Sequence, residues 1–250
     1  MTGSEVEEPA AEDPWTVLRR HTPARIGLGR AGDGLPARRL LEFEAAHAQA
    51  RNAVHHGVDF AALSAQLGEI PTITVRSAAA DRPTYLQRPD LGRRLDADCV
   101  PLLSQGTYDV AFVIADGLSA RAVQDHSVAT LRETLARLPG WHTAPVVLAT
   151  QARVALGDEI GQLLGAAMVV VLIGERPGLS SADSLGIYLT FGPRVGRVDS
   201  ERNCISNIHP PSGLGYRGAA LKLVYLMTQA RRLGLTGIGL KDDTPALAAE

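Results

Sequence analysis

Three continuous apolar runs mark the second half of the chain, at residues 110–115, 145–148 and 168–173. Apolar runs of this length are typical of strands that are buried on both faces. Apolar residues at helical spacing lie between the first and second runs, and a second helical segment spans residues 154–164. Alternating strands and helices predict an α/β fold, a Rossmann-like parallel sheet flanked by helices.

The C-terminal part of the chain adds weaker signals. Residues 184–191 predict a fourth strand, and residues 237–241 predict a final short one. Leu223, Met227 and Ala230 line a closing helix. The polar segment 203–209 has no clear period and is interpreted as a loop.

The front third of the chain predicts a helical N-terminal region before the sheet. Helices are expected at residues 15–20 and 60–67, and a longer one carries an apolar stripe between Leu40 and Val54. Residues 73–75 are the single candidate strand. The arginine- and proline-rich segment that follows is placed on the surface, with a short helix after Pro89.

Composition removes several classes of partner. A formal net charge of −2 over 250 residues gives no electrostatic reason to expect nucleic acid or an anionic membrane. No apolar run reaches the ~20 residues that a membrane span requires. Cys99 and Cys204 fit neither a disulfide framework nor a zinc pattern, which suits a reducing cytoplasm. The acidic residues 1–13 lack the pattern of a signal peptide and are expected to form a disordered leader.

Polar residues follow each of the three predicted strands. They are Asp116-Gly117, residues 151–154 and Gly174-Glu175. Because ligands of open parallel sheets gather outside the carboxyl ends of the strands, we expect these segments to share one functional edge.

Common ligand and catalytic motifs do not match this edge. The turn after the first strand reads DGLSAR instead of GxGxxG, and there is no P-loop. Ser119 and Ser180 each follow Gly-Leu, but neither lies in GxSxG, so a serine hydrolase is disfavoured although histidines are available. No catalytic residue is therefore singled out at this edge, although a triad stays open as a minor alternative.

No metal site is predicted either. His55 and His56 are adjacent, and neighbouring residues on a helix point apart. His47 falls on the apolar stripe, where a buried core histidine is the simpler interpretation. Cys99 is interpreted as a small buried hydrophobic residue.

Glu175 and Cys204 each keep two interpretations. Glu175 either caps a turn, or pairs with Arg176, or contacts a ligand. Cys204 either fills space in the core or belongs to a polar surface, since Asn203, Ser206 and other hydrogen-bonding residues surround it.

Several strings along the chain resemble one family in order and in wording. They are TPARIGLGRAGDGLP, SAAADRPTYLQRPDLGRRL, YDVAFVIADGLSARAV, RVALGDEIGQLLGA, VVVLIGERPGLSSADSLGIY and RNCISNIHP. Together they resemble the small subunit of ethanolamine ammonia-lyase, from about residue 14 to residue 241. The most specific parts are GERPGL and CISNI.

The resemblance implies an adenosylcobalamin-dependent enzyme that converts ethanolamine to acetaldehyde and ammonia. In that family a TIM-barrel large subunit carries the radical chemistry, the small subunit covers the corrinoid, and six copies of each assemble. The family's corrinoid contacts match Val154, Glu175 and Cys204. With this resemblance, residues 14–107 are expected to serve subunit docking and residues 108–250 to form a Rossmann-like cobalamin-binding domain.

Two further expectations concern the cofactor and the compartment. Corrinoid proteins that ligate cobalt with histidine carry D-x-H-x-x-G, and none of the seven histidines has an aspartate two residues before it. Cobalamin is therefore expected to bind base-on. The resemblance also implies that the enzyme is enclosed in a bacterial microcompartment in some members of the family. The family's encapsulation signals are amphipathic N-terminal helices, and the acidic, proline-containing leader of this chain differs from them.

Overall fold

The computed structural model describes residues 13–22 and 24–244. The expected disordered leader, residues 1–13, lies outside the described residues except for Asp13. The helices are α1 (Trp15–Arg19), α2 (Ala37–His55), α3 (Phe60–Leu67), α4 (Arg82–Gln87), α5 (Ala120–Leu135), α6 (Leu156–Leu164) and α7 (Tyr216–Leu233). The strands are β1 (Thr72–Arg76), β2 (Tyr108–Ala115), β3 (Val146–Thr150), β4 (Ala166–Gly174), β5 (Leu185–Phe191) and β6 (Asn203–Ile208).

The chain divides between Ala48 and Gln49 into two compact units. The first unit contains α1 and most of α2. Most of its large apolar residues are exposed, including Leu40 and Phe43 on the predicted stripe. His47 is also exposed and stacks on the Phe43 ring, so its interpretation as a core histidine was wrong.

The second unit contains one mixed sheet of six strands in the order β1-β3-β2-β4-β5-β6. The first four strands are parallel, and β5 and β6 extend the sheet in antiparallel fashion. The predicted α/β fold is confirmed. The candidate strand of the front third, β1, forms one edge of this sheet, so α3 and β1 belong to the same compact unit as the later strands.

Both faces of the parallel half are covered. Phe112 and Ile114 of β2 belong to a core cluster with α3, α5 and α7, whereas Ala111 and Val113 face a second cluster with α6. A strand with apolar residues on both faces needs no polar alternation, which is why these runs are continuous in sequence.

Helix α6 packs closely on the sheet because two of its own glycines face the sheet. A Cβ on Gly157 would lie 2.3 Å from Cγ2 of Val171, and one on Gly161 would lie 3.1 Å from Cβ of Val169. The missing side chains thus set the distance between α6 and β4, and with it the position of the turn that precedes α6.

Two predicted elements differ from the structure. Residues 203–208 form the strand β6 instead of a loop. Its alternation of period two is broken, because Asn207 has φ 66° and the buried Ile205 and Ile208 are three residues apart, so the pattern does not indicate a strand. Residues 237–239 form a 3₁₀ turn instead of a strand, whereas the short helix expected after Pro89 is present as a 3₁₀ helix at Leu91–Arg93.

The outer edge of β6 is covered by other parts of the chain. The Asn203 side chain accepts a hydrogen bond from the Gly237 backbone N–H at 2.8 Å and donates to the Leu240 carbonyl at 2.8 Å. Further along, the Leu214 N–H donates to the Asn207 carbonyl at 2.7 Å.

Gly157→Ala is expected to destabilise the protein. The new methyl group would overlap Val171, which costs roughly 1–3 kcal/mol and exceeds the gain of about 1 kcal/mol in helix propensity. Calorimetric unfolding should therefore show a lower Tm. Gly57→Ala is the matched control, since a Cβ there meets nothing within 4 Å; equal Tm values for the two variants would contradict the close packing of α6.

Candidate functional site

The carboxyl ends of β2, β3 and β4 meet at one edge of the sheet, as predicted. The Gly117 turn after β2 is so close to β4 that a Cβ there would lie 2.3 Å from the Gly174 carbonyl oxygen. Leu118 donates its N–H to that oxygen at 2.9 Å. The segments that follow the three strands are therefore in contact with one another.

Asp116 joins the ends of β2 and β3. Its buried carboxylate accepts hydrogen bonds from the N–H groups of Gln151 and Ala152, at 2.8 and 2.9 Å, and pairs with Arg82 at 3.3 Å. Burial raises the pKa of Asp116, while the backbone hydrogen bonds and Arg82 act in the opposite direction. The helices after β2 and β3 leave toward opposite faces, which is where such sheets hold a ligand. Here the crevice is filled by the chain's own side chains.

Tyr85 completes this filled crevice. Its fully buried ring lies between two guanidinium groups, 4.8 Å from Cζ of Arg82 and 4.3 Å from Cζ of Arg153. Its hydroxyl donates to the Ala152 carbonyl at 3.1 Å. The expected surface location of this segment was therefore wrong for Tyr85. The stack fixes the turn that presents Val154.

Glu175 links three strands at the other end of the same edge. Its carboxylate accepts hydrogen bonds from the hydroxyls of Ser184 and Ser206, both at 2.5 Å, and from the Asn207 N–H at 3.3 Å. Arg176 makes no ion pair with it within the described part of the chain. Glu175 is half-buried, so one side of the carboxylate region remains open to solvent.

Gly186 makes room for Glu175. A Cβ at Gly186 would lie 2.9 Å from Oε1 of the glutamate. The glycine thus lets the carboxylate lie over the β5 backbone instead of pointing away from the sheet.

Cys204 and Tyr188 are paired across β5 and β6, next to Glu175. Cys204 is exposed, yet partial desolvation of its sulfur raises the pKa of its thiol. The hydrogen bond with Tyr188 lowers this pKa and the charge of Glu175 raises it again. Partial burial, followed by the proximity of Cys204, raises the pKa of the Tyr188 hydroxyl as well. Both groups are neutral near pH 7.

The structure brings Glu175 and Cys204 close together and places Val154 further along the same edge. Tyr188 pairs with Cys204 across β5 and β6, and Ser206, two residues after Cys204, donates to Glu175. Val154 follows β3, which is separated from β5 by β2 and β4. Tyr188 itself was missed. The signal was present, because Leu185, Ile187 and Leu189 alternate in β5 and leave Tyr188 on the opposite face.

Cys99 lies in the core beneath this face and is buried, as predicted. Among residues 13–22 and 24–244, no cluster of three or more His, Cys, Asp or Glu side chains has an arrangement that could hold a metal ion. Within the same residues, no helix is both long enough and apolar enough to span a membrane.

Comparison with known proteins identifies the family. A family model described as ethanolamine ammonia-lyase light chain matches residues 12–241. The chain belongs to this family. It is 57% identical to the ethanolamine ammonia-lyase small subunit of Azotobacter vinelandii, over 94% of this chain and 90% of that one. It is 54% identical to the Ralstonia nicotianae small subunit, covering 100% of this chain and 97% of the relative.

The small subunit of Pseudomonas syringae pv. tomato is also 54% identical, over 96% of this chain and 87% of its own length. Family membership confirms the resemblance found in the sequence and the predicted enzyme class, an ammonia-lyase subunit. The matched region includes the whole edge formed by Val154, Glu175 and Cys204.

Asp116→Ala is expected to destabilise the protein by about 3–5 kcal/mol, because it leaves the Arg82 guanidinium buried without its carboxylate. Urea unfolding measures the change. Asp125→Ala is the control, since it removes an exposed ion pair with Arg121 that is worth at most about 1 kcal/mol. Similar losses in the two variants would mean that Asp116 does not organise the strand ends.

Glu175→Gln is expected to lower the pKa of the Cys204 thiol, because it removes the negative charge that disfavours the thiolate. The measurement is the pH dependence of iodoacetamide labelling, followed by mass spectrometry of the Cys204 peptide. The pH midpoint should move to a lower value in the variant. Buried Cys99 serves as the internal control, and an unchanged midpoint would show that the carboxylate does not act on the thiol.

Proposed function

We propose that this chain is the small subunit of an ethanolamine ammonia-lyase and that it holds part of a cobalamin cofactor at the interface with a large subunit. The complex would convert ethanolamine to acetaldehyde and ammonia. The observation that carries the proposal is the surface formed by Glu175, Tyr188 and Cys204, with Val154 on the same edge of the sheet, in a chain more than half identical to proteins of that name.

The chemistry of this surface suits a corrinoid. A corrin ring is a flat, largely apolar macrocycle whose rim carries amide groups. Tyr188 and Val154 offer apolar contact, and the neutral Cys204 thiol offers a soft, uncharged one. Glu175 supplies an acceptor for amide N–H groups. A carboxylate has about four acceptor sites, and three internal donors leave room for another.

Each residue is given a binding role. Glu175 accepts hydrogen bonds from peripheral amides, Val154 packs on the ring or its nucleotide tail, and Cys204 contacts the periphery. When bound, the cofactor supplies the radical chemistry of the deamination, and the chain supplies position and electrostatics. None of these residues acts as a general acid or base.

The base-on mode is part of the proposal. No histidine in the chain lies in D-x-H-x-x-G, so this subunit leaves the cobalt without a ligand of its own. The partner is a TIM-barrel large subunit that carries the substrate pocket, with six copies of each subunit in the assembly.

In the co-purified complex, Glu175→Gln is expected to weaken cobalamin binding about tenfold, as expected for losing a hydrogen bond to a charged group. Spectral titration with cyanocobalamin measures the Kd. Asp183→Asn is the control, because it removes a nearby carboxylate that pairs only weakly with Arg121, at 3.8 Å. Unchanged affinity in a Glu175→Ala, Cys204→Ala double variant would exclude this surface as the corrinoid site.

A second role, in assembly, is favoured by the first compact unit. Seven of its large apolar side chains are exposed: Trp15, Val17, Leu18, Leu35, Leu40, Leu41 and Phe43. An exposed apolar set of this size is typical of a protein–protein contact. We propose that this unit docks on the large subunit.

Leu41→Lys is expected to reduce co-purification with the large subunit without lowering the Tm of the chain, because Leu41 is 64% exposed. Ile238→Lys is the matched control, an apolar residue that is 77% exposed in the other unit. A chain truncated to start at residue 108 would not test this docking role, because it would also lack β1 and Tyr85, which belong to the second folded unit. If both variants co-purified with as much large subunit as the wild-type chain does, docking through α2 would be contradicted.

A further inference from the structure

A groove next to Val154 is lined by four arginines and one carboxylate. It has a volume of about 320 Å³, near the lower limit of small-molecule sites. One wall is formed by Pro89 and the 3₁₀ turn that follows it. The turn that leads into α6 and the loop between β5 and β6 form the others. The charged side chains that line it are Arg93, Arg153, Arg197, Arg202 and Asp199.

Two of these arginines are already neutralised. Arg202 makes a buried bidentate pair with Asp158, at 2.6 and 2.7 Å, and Arg197 pairs with Glu201. Both also donate to backbone carbonyls, so they shape the groove but have little capacity left for a ligand.

Arg93 and Arg153 keep open donors. Arg93 is exposed, and its side chain makes no ion pair in the part of the chain that the structure describes. Arg153 stacks on Tyr85 and donates through Nη2 to the Tyr85 carbonyl at 3.2 Å. Its Nε is buried without a partner, whereas Nη1 has no partner among the described residues and is not buried, so Nη1 is the donor that a ligand in the groove can reach.

The start of α6 leaves the ligand contacts to side chains, because the N–H groups of Leu156, Gly157 and Asp158 already bond to the carbonyls of Arg153, Val154 and Ala155. The carboxylates nearby are engaged or point outward: Asp158 is held by Arg202, and the Asp199 side chain is 93% exposed.

We infer that this groove binds a phosphate group. Guanidinium groups match phosphate oxygens in charge and geometry. Resting on the proposed function, we assign the groove to the phosphodiester of the cobalamin nucleotide tail. Val154 lines the same groove, so the ring-binding surface and the phosphate site meet at this residue.

The test compares two corrinoids on the complex of this chain with its large subunit. Cyanocobalamin carries the nucleotide tail, whereas dicyanocobinamide has the ring and its amides but no phosphate. Arg93→Ala is expected to raise the Kd of cyanocobalamin about tenfold and to leave the Kd of dicyanocobinamide within about twofold. Arg153→Lys, which keeps the charge but removes the planar guanidinium group, should produce a smaller change of the same kind.

Controls separate this inference from the proposed function. Arg94→Ala removes an equally exposed arginine that lines only the neighbouring groove, so it should change neither affinity. Glu175→Gln should weaken both corrinoids, because the amide rim is common to them. If the wild-type complex bound neither corrinoid, the proposed function would fail first.

Three results would overturn the phosphate assignment. Arg93→Ala could leave cyanocobalamin binding unchanged, or weaken both corrinoids equally. In the third, inorganic phosphate at constant ionic strength raises the Tm of the wild type but not that of Arg93→Ala, and it does not compete with cyanocobalamin for the wild-type complex. This last result would mean that the groove takes a free phosphate. The assignment requires competition against cyanocobalamin in the wild type and none against dicyanocobinamide.

Discussion

The buried pair of Asp116 and Arg82 determines where a ligand can bind. One carboxylate holds the chain after β3 through two backbone N–H groups and neutralises the guanidinium that stacks on Tyr85. Together these groups close the crevice in which related sheet topologies place nucleotides. The open surface is consequently displaced toward β5 and β6, while the turn that carries Val154 is held by hydrogen bonds with Tyr85.

The second constraint is the uneven cover of the sheet. Helices pack on both faces of the parallel strands, but the face with α6 does not extend over β5 and β6, where Cys204 and Ser206 are exposed. Glu175 compensates for the missing cover by tying β4, β5 and β6 together through hydrogen bonds. The same carboxylate therefore stabilises the sheet edge and lies where a bound amide can reach it.

Periodicity predicted the strands that are buried on both sides, since a continuous apolar run admits few other structures. It failed where a local feature broke the period, as at Asn207 in β6, or where a polar residue is buried by its partners, as for Tyr85 between two arginines. Glu175 and Cys204 stood out by position and by family resemblance. Tyr188 and the arginine groove depend on contacts between distant segments, which no local pattern encodes.

The covered edge of β6 has a consequence for assembly. Exposed edge strands readily pair with strands of other chains, and this one is occupied by the Asn203 amide and by the backbone near Leu214. These contacts hinder another chain from continuing the sheet at the two ends of β6. A large subunit that met this end of the sheet would contact side chains there, which suits the proposed enclosure of a cofactor between the two subunits.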